Sequence, residues 1–372
     1  MHVSRSRTWM LLLAIAAATV GCSGAASSGD PQSASGSSSG GSQGSSGASS
    51  SSSSGGSTSS SGGSTGSSTS SGSGGSSSSG SGGSSSSGSG GSSSSSGSSS
   101  GSSGGPPPEA GAVWQPAATA PIHFHWMIGG FTTADILTGQ DGQVVYDIDG
   151  EGASASDVAA IHAAGAIAVC YVDVGTLEMG RSDYSEFPAS VIGPAVQGWP
   201  GENWLLVTAA NQGIILPLMK ARFQNWCLAK GFDAIEPDNL DGWTNISNIT
   251  ETDNVAYDLA VGKLANALPL SIGLKNVMTD LDASQYPSFL AEFQWALNEQ
   301  CYEYSECDTY TAAGSFLPAG KAVFDVEYNV SPTCSNADSA HINAQLTDLD
   351  LVGATSSGYE YTPCIPDSQT TW

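Results

Sequence analysis

Apolar runs that close in polar residues recur along the C-terminal two-thirds of the chain. They are HFHWMIG (123–129), VVYDID (144–149), AIAVCYVDVG (166–175), FDAIEPDN (232–239), LSIGLKN (270–276), QWALNEQC (294–301), AVFDVEYN (322–329) and LDLVGATS (349–356). Near-continuous apolar stretches of this length suit strands covered on both faces, as in a parallel sheet. Between them Leu216, Met219, Phe223 and Trp226 repeat at helical spacing, with Pro217 near the expected start and Gly231 past the end. Ser156 to Ala164 predicts another helix, with Ser156 as its N-cap, and His162 and His341 fall on expected helices in structural positions. Strands in strict alternation with helices predict a (β/α)8 TIM barrel, one domain over residues 106–372. An open doubly wound sheet is the competing topology, but no Gly-rich phosphate loop follows any of the runs.

A parallel barrel brings the C-terminal ends of its strands to one mouth. Asp147, Asp149, Asp173, Glu236, Asp238, Glu299 and Glu327 all fall at the tails of the expected strands. The densest stretch is GFDAIEPDNLDG, residues 231–242, where an apolar strand runs directly into acids with no base among them. Carboxylates can hold a divalent cation. No HExxH or EF-hand pattern occurs, however, and His123 and His125 suit a hydrogen-bonded wall better than a ligand set, so no metal and no cofactor is expected. A Ser/His/Asp hydrolase would show GxSxG at a strand–helix junction, and none is present.

Glycoside hydrolysis remains, and it needs two carboxylates across the scissile bond. Crowding of acids around Glu236 is a means of keeping one of them protonated. Glu236 is the first candidate for catalysis, since Pro237 fixes the backbone angle after it. Asp173 is the expected partner, with Glu178 and Glu299 as alternatives. Asp147, Asp238, Asn239, Trp126, Trp243, Glu327 and Tyr328 are the expected substrate contacts, the aromatics offering surfaces on which sugar rings stack. Lys275 is expected to neutralise a neighbouring carboxylate, and Arg181 to pair with Asp183 or Glu178.

Composition divides the chain. Residues 23–105 are nearly all Ser and Gly, too poor in apolar side chains to offset ordering entropy, and predict a flexible tether. A coil of that length spans roughly 50 Å. Ahead of it, Arg5 and Arg7, the apolar stretch Trp9–Val20 and Thr19-Val20-Gly21-Cys22 resemble a bacterial lipoprotein signal over residues 1–22, with Cys22 lipidated. Ordinary signal cleavage is the alternative, and either implies export, with a lipid anchor as the only membrane contact. The six further cysteines suit disulfides in an exported chain. Proximity favours Cys301–Cys307 and Cys334–Cys364, which leaves Cys170–Cys227. Beyond residue 107 there are seven Lys or Arg against 33 Asp or Glu. Such a surface repels nucleic acid and anionic membranes and favours a cationic partner.

The segments CYVDVGTLEMGRSDYSEFPASVIG, GWPGENWL, KGFDAIEPDNLDG, IGLKN, NEQCYEYSEC and GKAVFDVEY resemble, in this order, glycoside hydrolase family 114, the endo-α-1,4-polygalactosaminidases. The resemblance runs from about Trp114 to Tyr328. It implies a TIM-barrel enzyme, expected as a monomer, that cuts α-1,4-linked galactosamine polymers. Such polymers are cationic amino-sugar polysaccharides, the partner that the charge balance favours independently. A surface lipoprotein that binds them without cutting is the competing reading, because the same acids and aromatics would serve it.

Overall fold

The computed structural model describes residues 113–140 and 142–365. The signal with Cys22 and the Ser/Gly tether lie outside the described residues. Eight strands run parallel in chain order: β1 (Ile122–Trp126), β2 (Gln143–Asp149), β3 (Ile167–Asp173), β4 (Ala234–Asp238), β5 (Ser271–Lys275), β6 (Trp295–Glu299), β7 (Val323–Glu327) and β8 (Ile342–Thr347). They form a nearly closed TIM barrel. Between β8 and β1 the Asn343 side chain accepts the Ile122 N–H at 2.8 Å, and Tyr361–Pro363 adds a short antiparallel strand on β8.

The pleat sorts the strand residues into two cores. Phe124, Trp126, Val145, Val169, Ala234, Trp295, Leu297, Phe324 and Val326 point to the barrel axis. Tyr146, Ile148, Cys170, Ile235, Ile272, Leu274 and Ala296 point outward and pack under the helices. Phe124 and Phe324 stack at 4.6 Å beside the ring of Trp295. Burial of side chains of this size stabilises the fold by about 1.5–3 kcal/mol each. Gly273 leaves room for Trp295, because a Cβ there would lie 2.5 Å from its ring.

Several expectations need correction. Alternation is not strict, since β1 and β2 are joined by only a 3-10 turn, Thr133–Asp135. The first helix is Ala155–Ala163, capped by Ser154 and not Ser156, with Asp157 returning a bond to the Ser154 N–H at 2.9 Å. The second is Ala209–Arg222, so Pro217 lies well inside it. Pro217 and Gly213, whose carbonyl the proline leaves unpaired, are both exposed to water. The helix continues as a π turn, Phe223–Cys227, and a 3-10 turn that ends at Gly231 with φ 91°. His341 is the left-handed C-cap of helix Cys334–Ala340, not a residue within it.

The eighth strand is Ile342–Thr347, not residues 349–356. Its Asn343, Gln345 and Thr347 are buried polar residues, so it presents no continuous apolar run. LDLVGATS is instead a loop that seats Leu351 in the barrel core, where its carbonyl accepts the Gly129 N–H at 3.0 Å. The disulfides are Cys170–Cys227, Cys301–Cys307 and Cys334–Cys364. The first joins the outer face of β3 to the π turn across 57 residues, a closure worth about 4 kcal/mol in the chain-entropy account.

Candidate active site

At the C-terminal end of the barrel one ammonium gathers three carboxylates. Lys275, the last residue of β5, places Nζ 3.1 Å from Asp238 on β4, 3.1 Å from Glu299 on β6 and 3.3 Å from Glu236 on β4. Its charge also lies 4.4 Å from the centre of the Trp126 ring on β1. The contact with Asp238 is a hydrogen bond, and the charge is shared among all three acids. The inward parity of each strand makes the arrangement: Glu236 and Asp238 follow Ala234, Glu299 follows Leu297, and Lys275 follows Gly273, which faces Trp295 in the barrel.

Two of the three acids reach the opening. Asp238 and Glu299 each keep 22 % of the side chain exposed, whereas Glu236 is wholly buried. Asp238 accepts from Tyr171 Oη at 3.0 Å and Asn239 Nδ2 at 3.4 Å. Glu299 accepts from Tyr328 Oη at 2.6 Å and Asn276 Nδ2 at 2.9 Å. Burial pushes Glu236 up to about 8; Lys275 opposes that shift and Asp238 and Glu299 add to it. Burial therefore favours the neutral form of Glu236 at neutral pH and leaves the lysine charge to be balanced at the opening.

Asp173 ends β3 beside them, but its oxygens are committed. Oδ1 accepts the Gly175 and Thr176 N–H groups at 3.1 and 2.8 Å, while Oδ2 takes the Thr176 hydroxyl and Asn239 Nδ2. Gly175 is required here, because a Cβ would lie 1.6 Å from the Asn239 carbonyl oxygen. Asn239 itself turns the chain at φ 60°. Asp173 thus shapes the turn that brings the β3 and β4 tails together. The Thr176 hydroxyl also bonds Glu202 at 2.6 Å, in a small antiparallel sheet of Thr176–Glu178, Ile192–Ala195 and Glu202–Leu205 inserted after β3. Burial, with Asp173 next, pushes Glu202 up to about 8.

The other expected residues divide. Asp147 and Trp126 join the cluster from β2 and β1. Glu178 is bound by Arg181, which also holds Asp149, while Asp183 pairs with Arg222 at 2.7 Å. Trp243 packs against the outer core. Glu327 is on the outward face of β7, where it accepts the Tyr302 N–H at 2.7 Å, and it is not brought to the mouth. Tyr171 and Glu202 were not anticipated. Tyr171 shares the parity of Asp173, a signal available in the sequence; nothing in the hydrophobic pattern marks Glu202. Among the described residues no group of His, Cys, Asp and Glu is arranged to hold a metal ion.

Comparison with known proteins adds to this geometry. The family model Glyco_hydro_114, glycoside-hydrolase family GH114, matches residues 105–366. The chain belongs to GH114. The crystal structure of Ega3 from Aspergillus fumigatus, in complex with galactosamine, is 30% identical, with a TM-score of 0.54 over 67% of this chain and 98% of that one. The glycoside hydrolase domain of PelA from Pseudomonas aeruginosa aligns over 63% of this chain and 96% of that one, at 12% identity and a TM-score of 0.44. No curated protein sequence matches. As a GH114 member the chain is a glycoside hydrolase, and the acids about Lys275 stand where a TIM barrel carries its chemistry.

Proposed function

We propose that the protein hydrolyses α-1,4-linked galactosamine polymers, with Asp238 and Glu299 flanking the scissile bond. The observation that carries the reading is the shared ammonium: two partly exposed carboxylates, on the tails of β4 and β6, each 3.1 Å from Lys275 Nζ. Family membership supports hydrolysis, and the galactosamine bound to Ega3 supports the sugar. The excess of acids supports a cationic chain as substrate.

Asp238, oriented by Tyr171, Asn239 and Lys275, acts as the nucleophile toward the anomeric carbon. Glu299, oriented by Tyr328 and Asn276, enters the reaction protonated, gives that proton to the departing oxygen and then, as a carboxylate, takes one from water. Both carboxylates touch one nitrogen, so their nearest oxygens are no further apart than twice that contact. This closeness favours the retaining geometry, with carboxyl groups about 5–5.5 Å apart, over the wider inverting one. Glu236, neutral behind them, stands as a positioning residue. The lipoprotein-like signal sequence and the Ser/Gly stretch after it support export and display of the domain at a cell surface.

The test is product release from a defined α-1,4-galactosamine oligomer, followed by NMR of the first-formed anomer. Release of α-product by the wild type, abolished in Asp238→Asn and Glu299→Gln, is expected. Binding without release would leave a polymer-capture protein instead.

A further inference from the structure

Three polar side chains at the mouth, Glu236, Asp147 and Trp126, are buried with no hydrogen-bonding partner among the described residues. Asp147, on β2, is fully buried, and neither of its oxygens accepts a bond from the described residues. Trp126, its register partner on β1, is 4% exposed, and its indole N–H is likewise unmet. Their neighbours differ: Asp238, Glu299 and Asp173 all have donors, and the Lys275 ammonium lies against Glu236, Asp238 and Glu299. A buried polar group without a partner is destabilising, because it has given up water and received nothing in return. An orphaned acceptor pair beside an orphaned donor fits a ligand that brings a cationic donor and a hydroxyl oxygen on adjacent carbons. A 2-amino-2-deoxy sugar is such a ligand.

We propose that Asp147 recognises the protonated amine of the sugar unit held at the mouth, while Trp126 Nε1 donates to the neighbouring hydroxyl oxygen. The inference rests on the reading of this mouth as an amino-sugar site and names the side chain that reads the amine. Burial, with repulsion from Glu236 and Asp238 on β4 and only Lys275 on β5 opposing it, pushes Asp147 well above the usual carboxylate range. That shift favours the protonated form of Asp147 while the site is unfilled. Arrival of R–NH3+ turns the carboxylic acid into a carboxylate paired with the ammonium; the acid proton leaves to solvent and the amine keeps all three of its own. Galactose, which carries no cation, releases no proton. Discrimination between the two sugars therefore resides in Asp147.

Calorimetric titration of the full-length protein with galactosamine and with galactose, in two buffers of different ionisation enthalpy, tests this. The wild type should prefer galactosamine and release a proton on binding it. Asp147→Asn should lose about 10–100-fold in galactosamine affinity, the worth of one hydrogen bond to a charged group, with galactose binding little changed and proton release gone. Its melting temperature should hold or rise, because an unpartnered buried acid has been removed. A wild type without preference, without binding or without proton release overturns the inference, and so does an Asp147→Asn protein that keeps the preference or melts lower. Polymer cleavage is assayed separately: cleavage with the preference intact in Asp147→Asn sinks this inference alone, and an Asp147-dependent preference without cleavage sinks the proposed function alone.

Discussion

Two groups of buried acids end strands of the same barrel and have opposite fates. In the mouth, Glu236, Asp238 and Glu299 converge on the single ammonium of Lys275. On the outer face of β7, Asp325 and Glu327 instead receive backbone N–H groups, from Cys301 at 3.0 Å and Tyr302 at 2.7 Å, and hold the turn after β6. Burial pushes Glu327 up to about 7, with those N–H groups opposing the rise, and pushes Asp325 well above the carboxylate range, with Glu327 adding to it. Protons and amides satisfy the outer pair, and an ammonium and the opening satisfy the inner set. What separates them is one step of strand parity, which sends one side chain to the axis and the next to the helices.

The comparison is broken most directly at the mouth. Asp238→Asn and Glu299→Gln should each lower kcat on galactosamine oligomers by about 10²–10⁴-fold with the fold intact by circular dichroism. If either variant keeps near-full turnover, the pairing about Lys275 is not the catalytic one and Glu236 returns as the candidate. Next comes the cation. Lys275→Met leaves the three acids around it uncompensated and should destabilise by about 3–5 kcal/mol in denaturant unfolding, as removal of one buried partner does. The loss should shrink at acidic pH, where the carboxylates protonate.

A smaller effect is the pH slope of stability. Glu236 titrates near 4.5 when unperturbed and at about 8 in the fold, so between those values the native state holds a proton that the unfolded chain has released. This contribution is whole below the unfolded value and is lost as pH rises toward the folded one. Glu236→Gln should flatten that decline in urea midpoints, partly, because Glu202 contributes the same sign up to about 8. The smallest effect is expected from Glu327→Gln: kcat within about twofold of wild type, since effects away from the reacting groups are modest. A hundredfold loss there would erase the distinction between the two acid groups.

The barrel was legible because seven of its eight strands are continuous apolar runs. The eighth hid behind Asn343, Gln345 and Thr347, whose polar side chains face a buried interior. The catalytic end was legible too, since every strand tail but that one was located to within a few residues. Roles were not. Glu236 and Asp238 are two positions apart on one strand and face the same way, so no pattern tells which is exposed; that depends on how deep each lies against β5. Asp173 carries the same tail placement as Asp238, yet the tight turn at Gly175 consumes its oxygens. Glu327 failed on parity, which Phe324 and Val326 would have shown had the inward face of β7 been fixed first.

Because Lys275 is buried among Glu236, Asp238 and Glu299, an arriving polycation meets no exposed repulsive charge from it, only acids. The attraction that speeds capture does not switch off after a cut, for both fragments still carry amines and both still feel the acids within a screening length of about 8–10 Å. Departure of fragments, more than bond breaking, then sets the pace once the cleft is filled. Ionic strength should consequently act in opposite directions, slowing the enzyme on dilute chains by weakening capture and speeding it on abundant chains by freeing the products.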